Sequence, residues 1–199
     1  MDHENDLAGL IRRGAHREAA TLALRVYSDE VFGFLVHHLG DESAAADVFS
    51  QLGEDLWRGL PSFGLRCSMR TWLYLLARNA ATRFRRSAWN AEHRREGESQ
   101  LQQVAAVSRT RTPAWLRTDV KDRWSLLRDA LSPDDRSLLS LRLDRNMAWD
   151  EIAFVFLGHG APAAEQVKRE STRLRKRFQL LKEELRERAE ESGLFELDA

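Results

Sequence analysis

A chain of 199 residues, 43% of them apolar and 31% charged, suits one domain or two small ones and is too apolar to stay unfolded. No apolar run approaches the roughly 20 residues that span a bilayer, MDHENDLAGLIRR lacks the apolar core of a signal peptide, and the single Cys67 excludes an internal disulfide, so a cytoplasmic protein free of membranes is expected. The zero net charge is segregated: residues 1–63 carry five arginines against eleven acids (−6), 64–95 eight arginines against Glu92 (+7), and 167–177 six basic residues against Glu170 (+5).

Taken in chain order, the segments have helical period and none alternates as a strand would. A first helix is expected over Asp6–Tyr27 and a second from an N-cap at Ser28, carrying Val31, Phe34, Leu35 and Leu39 to Gly40. A third spans Glu42–Leu60, with Ala45, Val48, Phe49, Leu52, Leu56 and Leu60 on one face, and Pro61 stops it. The fourth starts at Ser68 and runs to about Trp89, its inner face being Met69, Trp72, Leu73, Leu76, Ala80 and Phe84. From Asn90 to Thr118 the period is lost and Pro113 bars a helix through the end, although Leu101–Val107 could hold a short one. A stretch of that length is unusual inside one compact domain. It predicts an all-α protein of two helical modules: residues 1–90, a flexible linker 91–117, and residues 118–199.

Thr118 is the expected N-cap of the next helix. Ser132-Pro133-Asp134-Asp135 has the residue types of a strong helix start: a hydroxyl cap, proline at the first position, acids in the first turn. That helix carries Leu138, Leu139, Leu141 and Leu143 to about Asn146. A short helix, Trp149–Phe156, the turn GHGAP and a long basic helix, Ala164–Glu190, complete the chain. A helix, a short helix, a turn and a basic helix stand in the order of a helix-turn-helix reader. Val167, Ser171, Leu174 and Phe178 take the core stripe of the last helix. Gln166, Lys168, Arg169 and Arg173 are left outside, where such side chains can meet base edges and phosphates.

The residues that catalysis or metal binding would require are not assembled. The six histidines are scattered, and His37-His38 point to different sides of a helix, so they form no i, i+4 metal pair. No Gly-rich phosphate loop and no nucleophile elbow is present, and the Asp134-Asp135 pair is explained by capping. No catalytic residue, metal or cofactor is expected. In the fourth helix, by contrast, Arg66, Arg70, Arg78, Arg83, Arg85 and Arg86 interleave with Trp72, Tyr74, Phe84 and Trp89. That composition suits a surface on which unstacked bases lie. Solvated helix faces and ordinary core aromatics account for the same patterns, so both readings stay open here.

The stretch from Val26 to Ser87 resembles region 2 of RNA polymerase sigma factors of the extracytoplasmic-function type. MRTWLYLLARNAATRFRR, Met69–Arg86, is its most specific piece, preceded by the Asp47-to-Trp57 spacing and by LPSF. LSPDDRSLLSLRLDRNMAWDEIAFVF followed by EQVKRESTRLRKRF is similar to region 4, the family's helix-turn-helix. The resemblance implies an alternative sigma factor, not an enzyme, working as a single copy within the holoenzyme. Asp47, Ser50, Gln51, Glu54 and Trp57 would dock on core RNA polymerase. Arg70, Trp72, Tyr74, Arg78, Asn79 and Arg83 would hold the single-stranded −10 element of promoter DNA. Gln166, Lys168, Arg169, Arg173, Arg175 and Lys176 would meet the duplex −35 element. The resemblance also admits an anti-sigma protein as a partner. Ser50 stands where the family usually has Gln, Gly53 where Phe is common, and Ala148 replaces a hydroxyl N-cap. LGHGAPAAEQ lengthens the turn before the basic helix. Two other functions fit parts of the pattern: a dimeric helix-turn-helix regulator acting alone on duplex DNA, and a helical adaptor that binds only protein.

Overall fold

The computed structural model describes residues 3–96, 130–158 and 161–191, without the side chains of 88–96 and 191. It divides into two compact units, Met1–Thr110 and Arg111–Ala199. Every regular element among the described residues is helical. The fourth helix, expected to end near Trp89, continues to Glu96 and takes in residues 91–96 of the expected linker, while the rest of that linker, the short helix at Leu101–Val107 and the helix begun at Thr118 lie outside the described residues.

In the N-terminal unit, α1 spans His3–Arg12, α2 His16–Leu39, α3 Glu42–Gly59 and α4 Met69–Glu96. The first two boundaries differ from those expected. The break falls at Gly14, which adopts a left-handed φ of 73°, and α2 passes through Ser28 as one continuous helix. A serine caps only where the chain leaves helical geometry. Here the glycine supplies that departure at little steric cost, and the Ala15 N–H closes the end of α1 on the Leu10 carbonyl at 3.0 Å. Gly40, also left-handed, ends α2 with its N–H on the Val36 carbonyl. Asp41 then caps α3 by accepting from the Ala44 N–H at 2.7 Å.

These helices pack around Leu7, Ala19, Ala23, Phe34, Leu35, Leu52, Leu56, Leu73 and Tyr74, each at most 1% exposed. Helix α4 lies against α1, α2 and α3 together. Its first two turns are therefore buried almost all round, with Met69, Thr71, Trp72, Leu73, Tyr74, Leu75 and Ala77 inside. A single inner face, as the period predicted, describes only its later turns.

In the C-terminal unit, α5 spans Pro133–Leu139, α6 Trp149–Leu157 and α7 Ala164–Glu191. Ser132 caps α5 by accepting from the Asp135 N–H at 3.1 Å. The helix then widens into a π turn over Ser140–Asp144, closed by the Arg145 N–H on the Ser140 carbonyl at 3.0 Å. A wider turn changes the facing of the side chains on it, so Leu143, expected in the core, is 56% exposed while Leu138, Leu139 and Leu141 are buried. At α6 the hydroxyl cap is missing. Glu151 supplies the other half of a capping box, accepting from the Ala148 N–H at 3.0 Å. Ser171, Leu174, Phe178, Leu181, Leu185 and Ala189 form the buried stripe of α7.

Candidate nucleic-acid interface

Asp47, Ser50, Gln51, Glu54 and Trp57 recur at three- and four-residue steps on α3, and all five are exposed. Glu54 pairs with Arg58 at 2.7 Å, and the Gln51 amide donates to Asp55 at 3.4 Å. Trp57 is 52% exposed, an unusual position for a large ring, and so the strongest apolar feature of this face. Gly53 adds an open notch: a Cβ there would meet nothing within 4 Å.

Beside this face, α3 and α4 border a groove of ≈ 290 Å³ lined by Asp47, Val48, Gln51, Ala80, Arg83, Phe84 and Ser87. Arg83 reaches across to an ion pair with Asp55. The structure thus joins two sets of residues that the sequence assigned to separate tasks. Asp55, Phe84 and Ser87 were not among the candidates. Helical spacing relates residues on one helix and carries no signal for pairing across two.

The six candidates on α4 separate by depth. Tyr74 is wholly buried, its ring edge-on to Phe34 at 5.2 Å. Trp72 is 7% exposed and stacked on Phe63 at 4.3 Å, and a Cβ on Gly59 would come within 2.8 Å of its ring. Both expected base-stacking rings are core residues, because α4 is surrounded where they stand. Arg70 is tied to Glu30 by two hydrogen bonds of 2.8 and 3.1 Å and lies over the Tyr74 ring. Arg78 and Asn79 are half-buried, and Arg83, Arg85 and Arg86 are exposed. The accessible basic surface of α4 is therefore its outer half.

The start of α4 is held from outside the candidate set. Ser68 accepts from the Thr71 N–H at 3.0 Å, as a local cap does. The carboxylate of Glu4, on α1, accepts from the Met69 and Arg70 N–H groups at 2.8 and 3.1 Å and from the Tyr27 hydroxyl at 2.6 Å. Burial, and then the hydrogen bond to this anion, push the Tyr27 hydroxyl well above its ordinary pKa. A carboxylate on two N–H groups at a helix start satisfies donors that have no partner inside the helix and complements its dipole. No sequence motif links residues so far apart.

On α7, Gln166, Lys168, Arg169, Arg173, Arg175 and Lys176 are all exposed. Gln166 turns back to accept from the Ala163 N–H at 2.8 Å, and Arg173 is bonded to Glu170. Arg177 makes two bonds to Asp135 of 2.8 and 2.7 Å and a third to Glu184 at 3.0 Å, fastening α7 to the start of α5. Among the described residues no group of three or more metal-ligating side chains is assembled. No helix there is long and apolar enough to cross a membrane.

Residues 24–91, from within α2 through most of α4, match the family model for sigma-70 region 2. That match lies wholly within the N-terminal unit. Over a longer span, 166 residues are 27% identical to the RNA polymerase sigma-H factor of Pseudomonas aeruginosa, covering 78% of this chain and 83% of that protein. The fold is shared with the sigma factor RpoE in its complex with the anti-sigma factor NepR from Bartonella quintana. The TM-score is 0.53 at 19% identity, over 80% of this chain and 94% of that one. The two sequence similarities are thus both to sigma factors, in line with the resemblance read from Val26–Ser87.

Proposed function

We propose that this chain is an alternative sigma factor that binds core RNA polymerase, directs it to a set of promoters and helps open them. The region 2 match over residues 24–91 carries the reading, because it spans both the exposed polar face of α3 and the arginines of α4. In this reading Asp47, Ser50, Gln51, Glu54 and Trp57 meet the polymerase. Arg83, exposed on α4, and the half-buried Arg78 and Asn79 one turn before it hold the melted −10 strand. Trp72 and Tyr74 support that helix from the core, and Arg70 braces it against α2. The exposed residues of α7, Gln166 through Lys176, meet the −35 duplex, and the chain after α4, to about residue 117, joins two independent modules. The solved relative was crystallised with an anti-sigma factor, and a protein of that kind is the regulator this reading supplies.

The test is co-purification with core polymerase followed by run-off transcription from genomic promoters. Trp57→Ala removes an exposed ring, so folding should be unaffected. A central aromatic anchor is worth about 2 kcal/mol or more at an interface, so polymerase affinity should fall by roughly thirtyfold. Arg83→Ala should leave assembly intact and reduce promoter opening. Wild-type chain that neither assembles with core polymerase nor supports a transcript overturns the proposal. A duplex-DNA regulator acting alone is the outcome if the chain protects a specific operator without polymerase and does not assemble with core polymerase.

A further inference from the structure

Trp149, the first residue of α6, was not among the candidate site residues, yet three cations gather around it and its neighbour. The guanidinium of Arg142, from the π turn, lies over the Trp149 ring at 5.0 Å, and that of Arg175, from α7, lies over it at 5.8 Å. The ring meets Phe178 edge-on at 5.4 Å, and the ammonium of Lys182 is 5.5 Å from the Phe178 ring. Arg142 is fixed a second time, by donating to the Met147 carbonyl at 2.8 Å. A guanidinium over an aromatic ring makes that contact without using its N–H donors, which are left for an acceptor such as a phosphate.

The rest of the unit shows why this cluster differs from an ordinary charged surface. Arg173 and Arg177 are matched by carboxylates, Glu170 for the first and Asp135 with Glu184 for the second. Among the described residues no carboxylate bonds Arg142, Arg175 or Lys182. Lys168, Arg175 and Lys182 are also seven residues apart in turn. They therefore lie along one line of α7, about 10 Å between neighbours at the helical rise. Cations repeated along roughly 20 Å of helix fit a periodic polyanion better than they fit one acidic side chain.

We propose that Arg142, Trp149 and Arg175 form a clamp for nucleic-acid phosphates, continued along α7 by Lys168 and Lys182. Trp149 is a positioning residue that orients the two guanidiniums. The clamp rests on the reading that α7 meets duplex DNA and gives that reading its backbone contacts. It extends the expected duplex contact of Arg175 to a second element, through the π turn that delivers Arg142.

The test uses the full chain alone, so that its outcome is separate from polymerase recruitment. Binding to a fluorescent 30-base-pair duplex is followed by anisotropy across a salt series, with folding of every variant checked by circular dichroism. Arg142→Ala and Arg175→Ala should each lower the slope of log affinity against log salt by about one. Arg175→Lys should keep the slope. Trp149→Leu leaves every charge in place, so it should keep the slope while weakening binding by roughly five- to tenfold through loss of the ring that holds the two guanidiniums. Arg186→Ala, whose partner is Glu190, should change the slope less than either clamp arginine. Absence of duplex binding at low salt overturns the clamp, as do unchanged slopes in both arginine variants or preferential capture of a poly-glutamate peptide. If Trp149→Leu fails to fold, the two arginine variants decide the question.

Discussion

The carboxyl of Asp135 is held below its ordinary value of 3.8, first by its hydrogen bonds from Arg177 and against the opposing effect of burial. A folded-state pKa below the unfolded one means that the stabilisation is fully present above about pH 4. It is lost as pH falls through the folded value. Asp135→Asn should therefore destabilise the C-terminal unit by about 1–3 kcal/mol at neutral pH. That difference from wild type should shrink in denaturant titrations carried out progressively further into acid. A gap independent of pH would show that the carboxylate charge contributes nothing. In the other unit, Gly59 owes its identity to Trp72, since an added Cβ would sit 2.8 Å from a ring already stacked on Phe63. Gly59→Ala should lower stability by about 1–3 kcal/mol through overpacking, visible as a reduced melting temperature. Spacing alone put Trp72 on the inner face of its helix, but not against Gly59 and Phe63.

At the level of the helix, α4 depends on α1 for its first turn. Glu4 satisfies two N–H groups that helical geometry leaves without intrahelical partners, and it does so from a helix that precedes the region 2 match. Glu4→Ala should destabilise the N-terminal unit by about 1–2 kcal/mol, the usual range for a lost cap. Glu4→Gln keeps an acceptor and loses the charge at the dipole, so it should recover part of that loss. Equal effects of the two substitutions in chemical denaturation would show that the charge, and not the acceptor, is what matters. The helices themselves were largely legible: Asp41, Ser68 and Ser132 cap as their residue types suggest. Ser28 misled because a capping residue inside a helix carries the same letter as one at its end, and only Gly14's backbone shows where the chain turned.

For the whole molecule, the division into Met1–Thr110 and Arg111–Ala199 predicts that each fragment folds when expressed alone. Each should give a cooperative melt by circular dichroism, at a midpoint close to that of the same unit in the full chain. If the two contacts of a sigma factor act through tethering, mixing the fragments should not restore promoter-directed transcription. Covalent linkage raises overall avidity by about 10²–10⁴ over the separate parts, and transcription from the mixed fragments should fall accordingly. Full activity from the mixture would remove tethering from the mechanism.

The sequence by itself determined the helical class, most helix starts and the segregation of charge. These come from period, capping chemistry and composition, which are local properties of the chain. Only the tertiary structure decided which residues of a given helix remain accessible. Tyr74 went inside because three helices converge on the start of α4. Leu143 went outside because a π turn shifted its register. Glu4 met Met69, Asp55 met Arg83, and Arg142 met Trp149 across helices, and no spacing rule connects such pairs. Contact between elements depends on where whole helices lie, which is settled by the summed burial of many side chains and not by any one segment.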